Sequence, residues 1–283
     1  TIKLSGRDER VAEPYLEFYG RIIDTMPQLI SGRQNGKQVD VVRTPASFVY
    51  VLERRETAPM DVRKEWQNNY FFTGDAVIRG TQGDVLSVWD CALLRELNPE
   101  STLQAGALVL TQNQWNELKA QKEGVLYLSA DEVKEAHQKG YTLKEGKFVP
   151  ANVVVGTIWD HLSRGRDLTA YTQVVSETSR SNDIMKTYFD QSEISSPSGR
   201  SWVAGRVDGN SDANGNYYLN YDDGRLVGVA PEAPKSDVRE APRGVEASRQ
   251  PSLDELMTKV APFLAPALLG QVKDSLAELY QKD

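Results

Sequence analysis

The chain has 283 residues, with 33 Lys and Arg against 40 Asp and Glu, a formal net charge of −7, and 40% of its residues are hydrophobic. This length and apolar content can build one large domain or two ordinary ones with a packed core. The acidic, interspersed charge argues against a nucleic-acid-binding surface. The single cysteine, Cys91, excludes an intramolecular disulfide and a cysteine-based zinc cluster within one chain.

The longest apolar run covers residues 260–269 and is interrupted by Pro262 and Pro266. It is much shorter than the roughly 20 residues that span a bilayer, so we expect no membrane span. The first ten residues lack the apolar segment of a secretory signal. Together with the cysteine content, these features predict a cytoplasmic protein.

The first half of the chain predicts helices and short hairpins. Apolar residues at helical spacing predict an amphipathic helix over residues 7–29. Thr44 and Pro45 suit the start of a second helix, although the β-rich run 48–52 leaves a strand open. Residues 70–89 predict a hairpin that turns at 81–83. Cys91 begins a short apolar helix, in which it should act as a small buried hydrophobe.

The middle of the chain predicts two units of a strand followed by a short helix. Each helix starts with a capping box, one at 111–114 and one at 129–132. A turn at 144–147 should join two short strands. Helical spacing then predicts helices over 155–162 and 168–175, and a third short helix over 184–189.

Residues 201–230 alternate apolar and polar side chains and contain two turn signals. They predict a three-stranded β-meander with strands at 202–207, 216–221 and 225–230. Its face with Tyr218 between Asn216 and Asn220 suits either a polar ligand or the solvent side of a sheet.

The first turn of this meander partly matches a calcium loop. Asn210, Asp212 and Asn214 fill the first, third and fifth ligand positions, but position twelve is Tyr221 instead of Glu. Two interpretations stay open: a weak Ca²⁺, Mg²⁺ or other ligand site, or an ordinary turn. No other cofactor is predicted. The candidate ligand or metal residues are Asp208, Asn210, Asp212, Asn214, Asp222 and Asp223.

No catalytic residue is predicted, because the linear motifs of phosphate-binding, hydrolase and zinc-protease sites are absent from the sequence. His137 and His161 are interpreted as structural or solvated. A catalytic pair of Cys91 and His161 stays open, with no motif spacing to support it.

The last part of the chain predicts a linker and a tethered helical segment. Residues 231–251 combine prolines with mixed charge, and a capping box at 252–255 starts an amphipathic pattern. Its apolar stripe would bind another protein or a second copy of the chain. The residues of the stripe are Leu253, Leu256, Met257, Val260, Phe263, Leu269, Val272, Leu276 and Leu279.

The sequence therefore predicts an α+β protein with a helical and short-hairpin body at 1–230, a linker at 231–251 and helices at 252–283. A boundary inside the body near residue 150 stays open. The first functional hypothesis is a non-catalytic interaction or assembly protein that acts through its C-terminal helices. The alternative is a ligand-binding protein or hydrolase-type enzyme that uses residues 208–223.

Overall fold

The computed structural model describes residues 15–34, 37–38, 43–222 and 224–229. These residues form the mixed helices and sheets of an α+β fold. The helices are α1 (Ile22–Ile30), α2 (Phe48–Thr57), α3 (Met60–Gln67), α4 (Ala92–Arg95), α5 (Gln112–Ala120), α6 (Ala130–Ala136), α7 (Val153–Leu162) and α8 (Thr169–Ser179). The strands are β1 (Tyr15–Tyr19), β2 (Arg33–Gln34), β3 (Lys37–Gln38), β4 (Thr44–Pro45), β5 (Phe71–Arg79), β6 (Val85–Val88), β7 (Leu103–Gln104), β8 (Ala107–Val109), β9 (Val125–Leu128), β10 (Tyr141–Lys144), β11 (Lys147–Pro150), β12 (Asp183–Ile184), β13 (Thr187–Tyr188), β14 (Ser198–Ala204), β15 (Ala213–Asn214) and β16 (Arg225–Val229).

The main sheet has 11 strands and is built around β5 and β14. These two strands pair antiparallel, and β6 and β16 also pair with β5. Side chains alternate across β5, so Phe71 and Val77 enter one buried apolar cluster while Phe72 and Ile78 enter another. The central strands are therefore covered on both faces.

Several predicted elements are confirmed. The hairpin at 70–89 is β5 and β6, and α2 occupies the segment for which a strand was left open. The start predicted at Thr44 and Pro45 is wrong, because these two residues form β4 and Ser47 caps the helix. Both capping boxes are present, with Thr111 and Gln114 at the start of α5 and Ser129 and Glu132 at the start of α6. The side chains of each box accept hydrogen bonds from backbone N–H groups that have no partner inside the helix. These short sequence signals therefore located both helices correctly.

The long helix predicted over 7–29 is wrong for its middle part. Residues 15–19 form β1, which pairs antiparallel with β16, and the helix begins at Ile22. The third helix predicted over 184–189 is also wrong, because β12 and β13 occupy that segment. In both places strand partners that are distant in the chain decide against the local helical spacing.

The β-meander predicted over 201–230 is wrong. β14 pairs with β5, β8 and β15, while β16 pairs with β1, β4 and β5. Residues 216–221 form no strand. The buried Leu219 instead receives a backbone hydrogen bond from Ile23 (3.2 Å) and donates one to Gly106 (2.8 Å). Residues 219–220 form a turn, and the alternating pattern here reflects the buried Leu219 between the exposed Tyr218 and Asn220.

No helix in the described ranges is long and apolar enough to cross a membrane. The predicted linker at 231–251, the helices at 252–283 and the apolar stripe lie outside the described residues. Their proposed role and the domain boundaries stay predictions.

Candidate functional site

One surface segment is attached to the body through its backbone. We call residues 206–222 the outward segment. The Val207 N–H donates to the Gln67 carbonyl, and the Asn210 carbonyl accepts from the Met185 N–H. Further along, the Gly215 N–H donates to the Tyr188 carbonyl. Because these bonds run between main chains, they hold the segment without using its side chains.

The side chains of the outward segment divide by size and polarity. Small or apolar side chains are buried at Val207, Ser211, Ala213 and Leu219, as is Gly215. The exposed or half-buried side chains between them belong to Arg206, Asp208, Asn210, Asp212, Asn214, Asn216, Tyr217, Tyr218, Asn220, Tyr221 and Asp222. The segment therefore presents Asn, Asp, Tyr and Arg groups from a fixed main chain.

A buried arginine, Arg55, forms hydrogen bonds near the start of this segment. The Arg55 guanidinium is fully buried and donates to the Ser211 hydroxyl (3.1 Å) and to the Ala204 carbonyl (3.2 Å). It also donates to the Trp66 carbonyl (2.9 Å), the Asn69 carbonyl (3.1 Å) and the Tyr171 hydroxyl (3.1 Å). Arg55 thus connects α2 with α3, α8 and the outward segment.

Three tyrosines form a cluster on the same surface. The Tyr217 ring lies 5.6 Å from the Tyr70 ring and 5.6 Å from the Tyr221 ring, and the Arg206 guanidinium lies 5.4 Å from the Tyr70 ring. We call these four residues the tyrosine cluster. Burial, together with Tyr70, raises the pKa of the Tyr217 hydroxyl far above its usual value, so it stays protonated at neutral pH. The cluster offers flat aromatic area with polar edges.

The exposed Tyr218 ring packs on a different residue, the buried Arg200. The Arg200 guanidinium lies 4.9 Å from its ring, donates to the Ala105 carbonyl (2.9 Å) and the Asn216 carbonyl, and pairs with Asp190 (2.8 Å). Arg200 is 5% exposed, whereas Tyr218 is 49% exposed. The buried cation therefore fixes the base of an exposed ring.

The predicted ligand residues make several separate contacts in the described structure, and their role as a ligand or metal site stays a prediction. The Asp212 carboxylate accepts from the Lys186 N–H (3.1 Å), and the Asn214 side chain accepts from the Asn216 N–H (2.8 Å) in a local turn. Asp208 pairs with Arg206 (3.4 Å), and Asp222 is exposed. Asp223 lies outside the described residues.

Among the described residues, no group of three or more His, Cys, Asp or Glu side chains is arranged so that it could hold a metal ion. Burial raises the pKa of Asp212 to about 6. This carboxylate carries a desolvation cost and joins the outward segment to the backbone of Lys186, which lies in a distant part of the chain.

The histidines and the cysteine occupy structural positions. The His137 Nδ1 atom accepts from the Phe189 N–H (3.1 Å). The His161 ring stacks on Trp89 at 4.8 Å, and burial lowers its pKa to about 4. Cys91 is 1% exposed at the start of α4, and burial raises the pKa of its thiol. A buried neutral thiol is a poor nucleophile.

Sequence reasoning missed Arg55, Arg200 and Tyr70, which support the outward segment from elsewhere in the fold. Arg55 does have a local signal, because it lies at helical spacing on the same face of α2 as Phe48, Val51 and Leu52. Arg200 lies in the buried strand β14, but its sequence neighbours are Ser198, Gly199 and Ser201, so no apolar run marks it as a buried charge.

No protein-family model matches the chain, and a search of curated proteins returns no match. Among solved structures, one similar chain is described as "Accommodation of massive sequence variation in Nanoarchaeota by the C-type lectin fold". The superposition has a TM-score of 0.52 at 15% sequence identity and covers 76% of this chain and 96% of that chain. At this identity the likeness concerns the fold alone, and by that measure the chain resembles the C-type lectin fold.

Proposed function

We propose that this protein is a recognition module that binds a partner molecule through the outward segment and the tyrosine cluster. One observation carries the proposal: the backbone and the small side chains of residues 206–222 bond to the body, while their polar and aromatic side chains face outward. Groups that are held in place before binding lose less entropy when a partner arrives.

The composition of this surface supports recognition of a protein. Tyr218 and Tyr221 are 49% and 43% exposed, and asparagine and aspartate side chains surround them. Antibody paratopes rely on the same residue types, since tyrosine offers rigid contact area and asparagine offers adaptable hydrogen bonds. Arginine and tyrosine are also the residues that most often dominate binding energy at interfaces.

The described similarity supports a second part of the proposal. The structure that this chain resembles is described as accommodating massive sequence variation. A main chain held by its own hydrogen bonds is what such accommodation requires physically, because side-chain changes then leave the anchoring contacts intact. We therefore expect six outward positions to tolerate substitution: Asp208, Asn216, Tyr218, Asn220, Tyr221 and Asp222.

A pair of surface-display libraries tests this function. The first library diversifies those six positions. The matched control diversifies six exposed positions, five on α8 and one at the residue that follows it: Thr169, Ala170, Gln173, Glu177, Thr178 and Arg180. Both are selected against the same panel of soluble test proteins, with lysozyme as the reference probe, and thermal unfolding is measured for selected clones.

We expect both libraries to retain folded clones, with melting temperatures within about 5 °C of the parent chain, and only the first to yield saturable binders. Unfolding of most clones in the first library would contradict the tolerance of these positions. Binders of equal number and affinity from both libraries would contradict the assignment of the binding surface.

A further inference from the structure

A cleft lies between the turn that joins β5 to β6 and helix α5, and none of its lining residues belongs to the outward segment. Its volume is about 380 Å³, and Gln82, Asp84, Gln112, Asn116 and Lys119 are among the residues that line it. This volume falls in the range of small-molecule sites. Unlike most such sites, its walls carry several amide groups and two opposite charges.

The two charges face each other across the cleft, with Asp84 in the turn and Lys119 on α5. The Lys119 ammonium lies 3.8 Å above the Tyr127 ring and 3.8 Å from the Asp84 carboxylate. The Asp84 side chain is 13% exposed, and Gly80 leaves room for it, since a methyl group at Gly80 would collide with the Asp84 carboxylate. The cleft therefore offers a ligand one cation, the Lys119 ammonium on an aromatic face, and one half-buried anion, the Asp84 carboxylate.

The amides form a second recognition element. The Gln112 Nε2 atom donates to the Asn116 Oδ1 atom (3.1 Å). The pair therefore keeps Gln112 Oε1 as an acceptor and the Asn116 amide nitrogen as a donor for a ligand. An adjacent acceptor and donor of this kind match the donor and acceptor of a carboxamide or peptide group.

We propose that this cleft binds a small zwitterion that also carries a carboxamide, such as a free amino acid of the glutamine type. The ligand ammonium lies against Asp84, its carboxylate lies against Lys119, and its amide pairs with Gln112 and Asn116. The Lys119 side chain is 42% exposed, so its ammonium can turn from Asp84 toward the ligand carboxylate. One long ion pair is then replaced by two charge-assisted contacts. The site is independent of the recognition surface.

Isothermal calorimetry with L-glutamine as the probe tests the site. For about ten non-hydrogen atoms held by a few polar contacts, a dissociation constant of about 1 mM is expected. N-acetyl-L-glutamine lacks the ammonium, and the α-amide of L-glutamine lacks the carboxylate. Each should bind the wild-type chain at least about tenfold more weakly, because one charged contact is lost.

Two variants assign the charges. Asp84→Asn should weaken the binding of L-glutamine at least about tenfold and leave the already weak binding of N-acetyl-L-glutamine unchanged. Lys119→Met should likewise weaken the binding of L-glutamine and leave the already weak binding of its α-amide unchanged. The control is Lys134→Met, which breaks the exposed pair with Asp131 on α6 (3.4 Å) and should leave binding unaltered. Urea unfolding verifies that each variant is folded.

Absence of saturable heat with wild-type protein up to about 50 mM L-glutamine, a concentration far above the expected dissociation constant, would overturn the proposal. Equal affinities of the wild type and Asp84→Asn would also overturn it. If Asp84→Asn does not fold, the comparison of the three probes on wild-type protein and on Lys119→Met decides the outcome.

Discussion

The buried Arg55 allows a sharp test of how the fold holds the outward segment. In the described part of the chain, no carboxylate is found within ion-pair distance of this guanidinium, and five oxygen atoms accept its hydrogen bonds. In Arg55→Met the apolar length of the side chain is kept and every donor is removed. The carbonyls of Trp66, Asn69 and Ala204 then lose a buried partner, while the Tyr171 and Ser211 hydroxyls retain their mutual 2.6 Å bond.

The magnitude follows from these three carbonyls. Each unsatisfied buried acceptor costs about 1–3 kcal/mol. Removal of a buried cation recovers part of this total, because desolvation of the charge no longer opposes folding. We expect a net loss of about 3–5 kcal/mol in the free energy of unfolding, the scale observed when one partner of a buried charged network is removed. This is a large share of the typical 5–15 kcal/mol of a domain.

Urea unfolding followed by tryptophan fluorescence measures this loss, with the m-value checking that the transition stays two-state. The control is Arg21→Met, which removes an arginine that is 44% exposed and paired with Asp24 (2.6 Å). It should leave the free energy of unfolding almost unchanged, because exposed ion pairs contribute little to stability. A loss below about 1 kcal/mol for Arg55→Met would refute the reasoning, because the carbonyls would then have other partners.

Two further predictions concern pH and backbone geometry. Burial lowers the pKa of His161 from 6.5 to about 4, so its contribution to stability is present above pH 6.5 and is lost as the pH falls toward 4. Burial raises the pKa of Asp212 from 3.8 to about 6, so its contribution is present below pH 3.8 and is lost as the pH rises through 6. Each pKa shift corresponds to about 3 kcal/mol of stability, so His161→Phe should reduce the loss of stability in acid and Asp212→Asn should increase it. Unchanged pH profiles in denaturant titrations would contradict this. Gly106 and Gly146 both have positive φ, at +71° and +79°, but an added methyl group would collide with Tyr218 only at Gly106. Gly106→Ala should therefore cost about 1–3 kcal/mol more in urea unfolding than Gly146→Ala, and equal costs would show that Tyr218 moves freely.

The accuracy of prediction differed between local and distant effects. Thr111 and Ser129 start helices through contacts with residues three positions later, so their capping boxes were identified from sequence alone. Residues 15–19 have helical spacing too, yet they pair with β16 more than 200 positions later in the chain. Local patterns do not reveal such a partner. The strand forms because its pairing satisfies backbone N–H and C=O groups of both β1 and β16.

The candidate site shows the same division. The sequence by itself determined that residues 206–222 would be rich in Asn, Asp and Tyr, that their side chains would alternate, and that the set would lack the Glu needed for a calcium loop. Only the tertiary structure decided what this alternation means. Its inward groups bond to Gln67, Gly106 and Tyr188, and the buried Arg55 and Arg200 hold the segment from below. The physical reason is that hydrogen bonds between distant parts of the chain depend on where the fold places each backbone group, which no local pattern encodes.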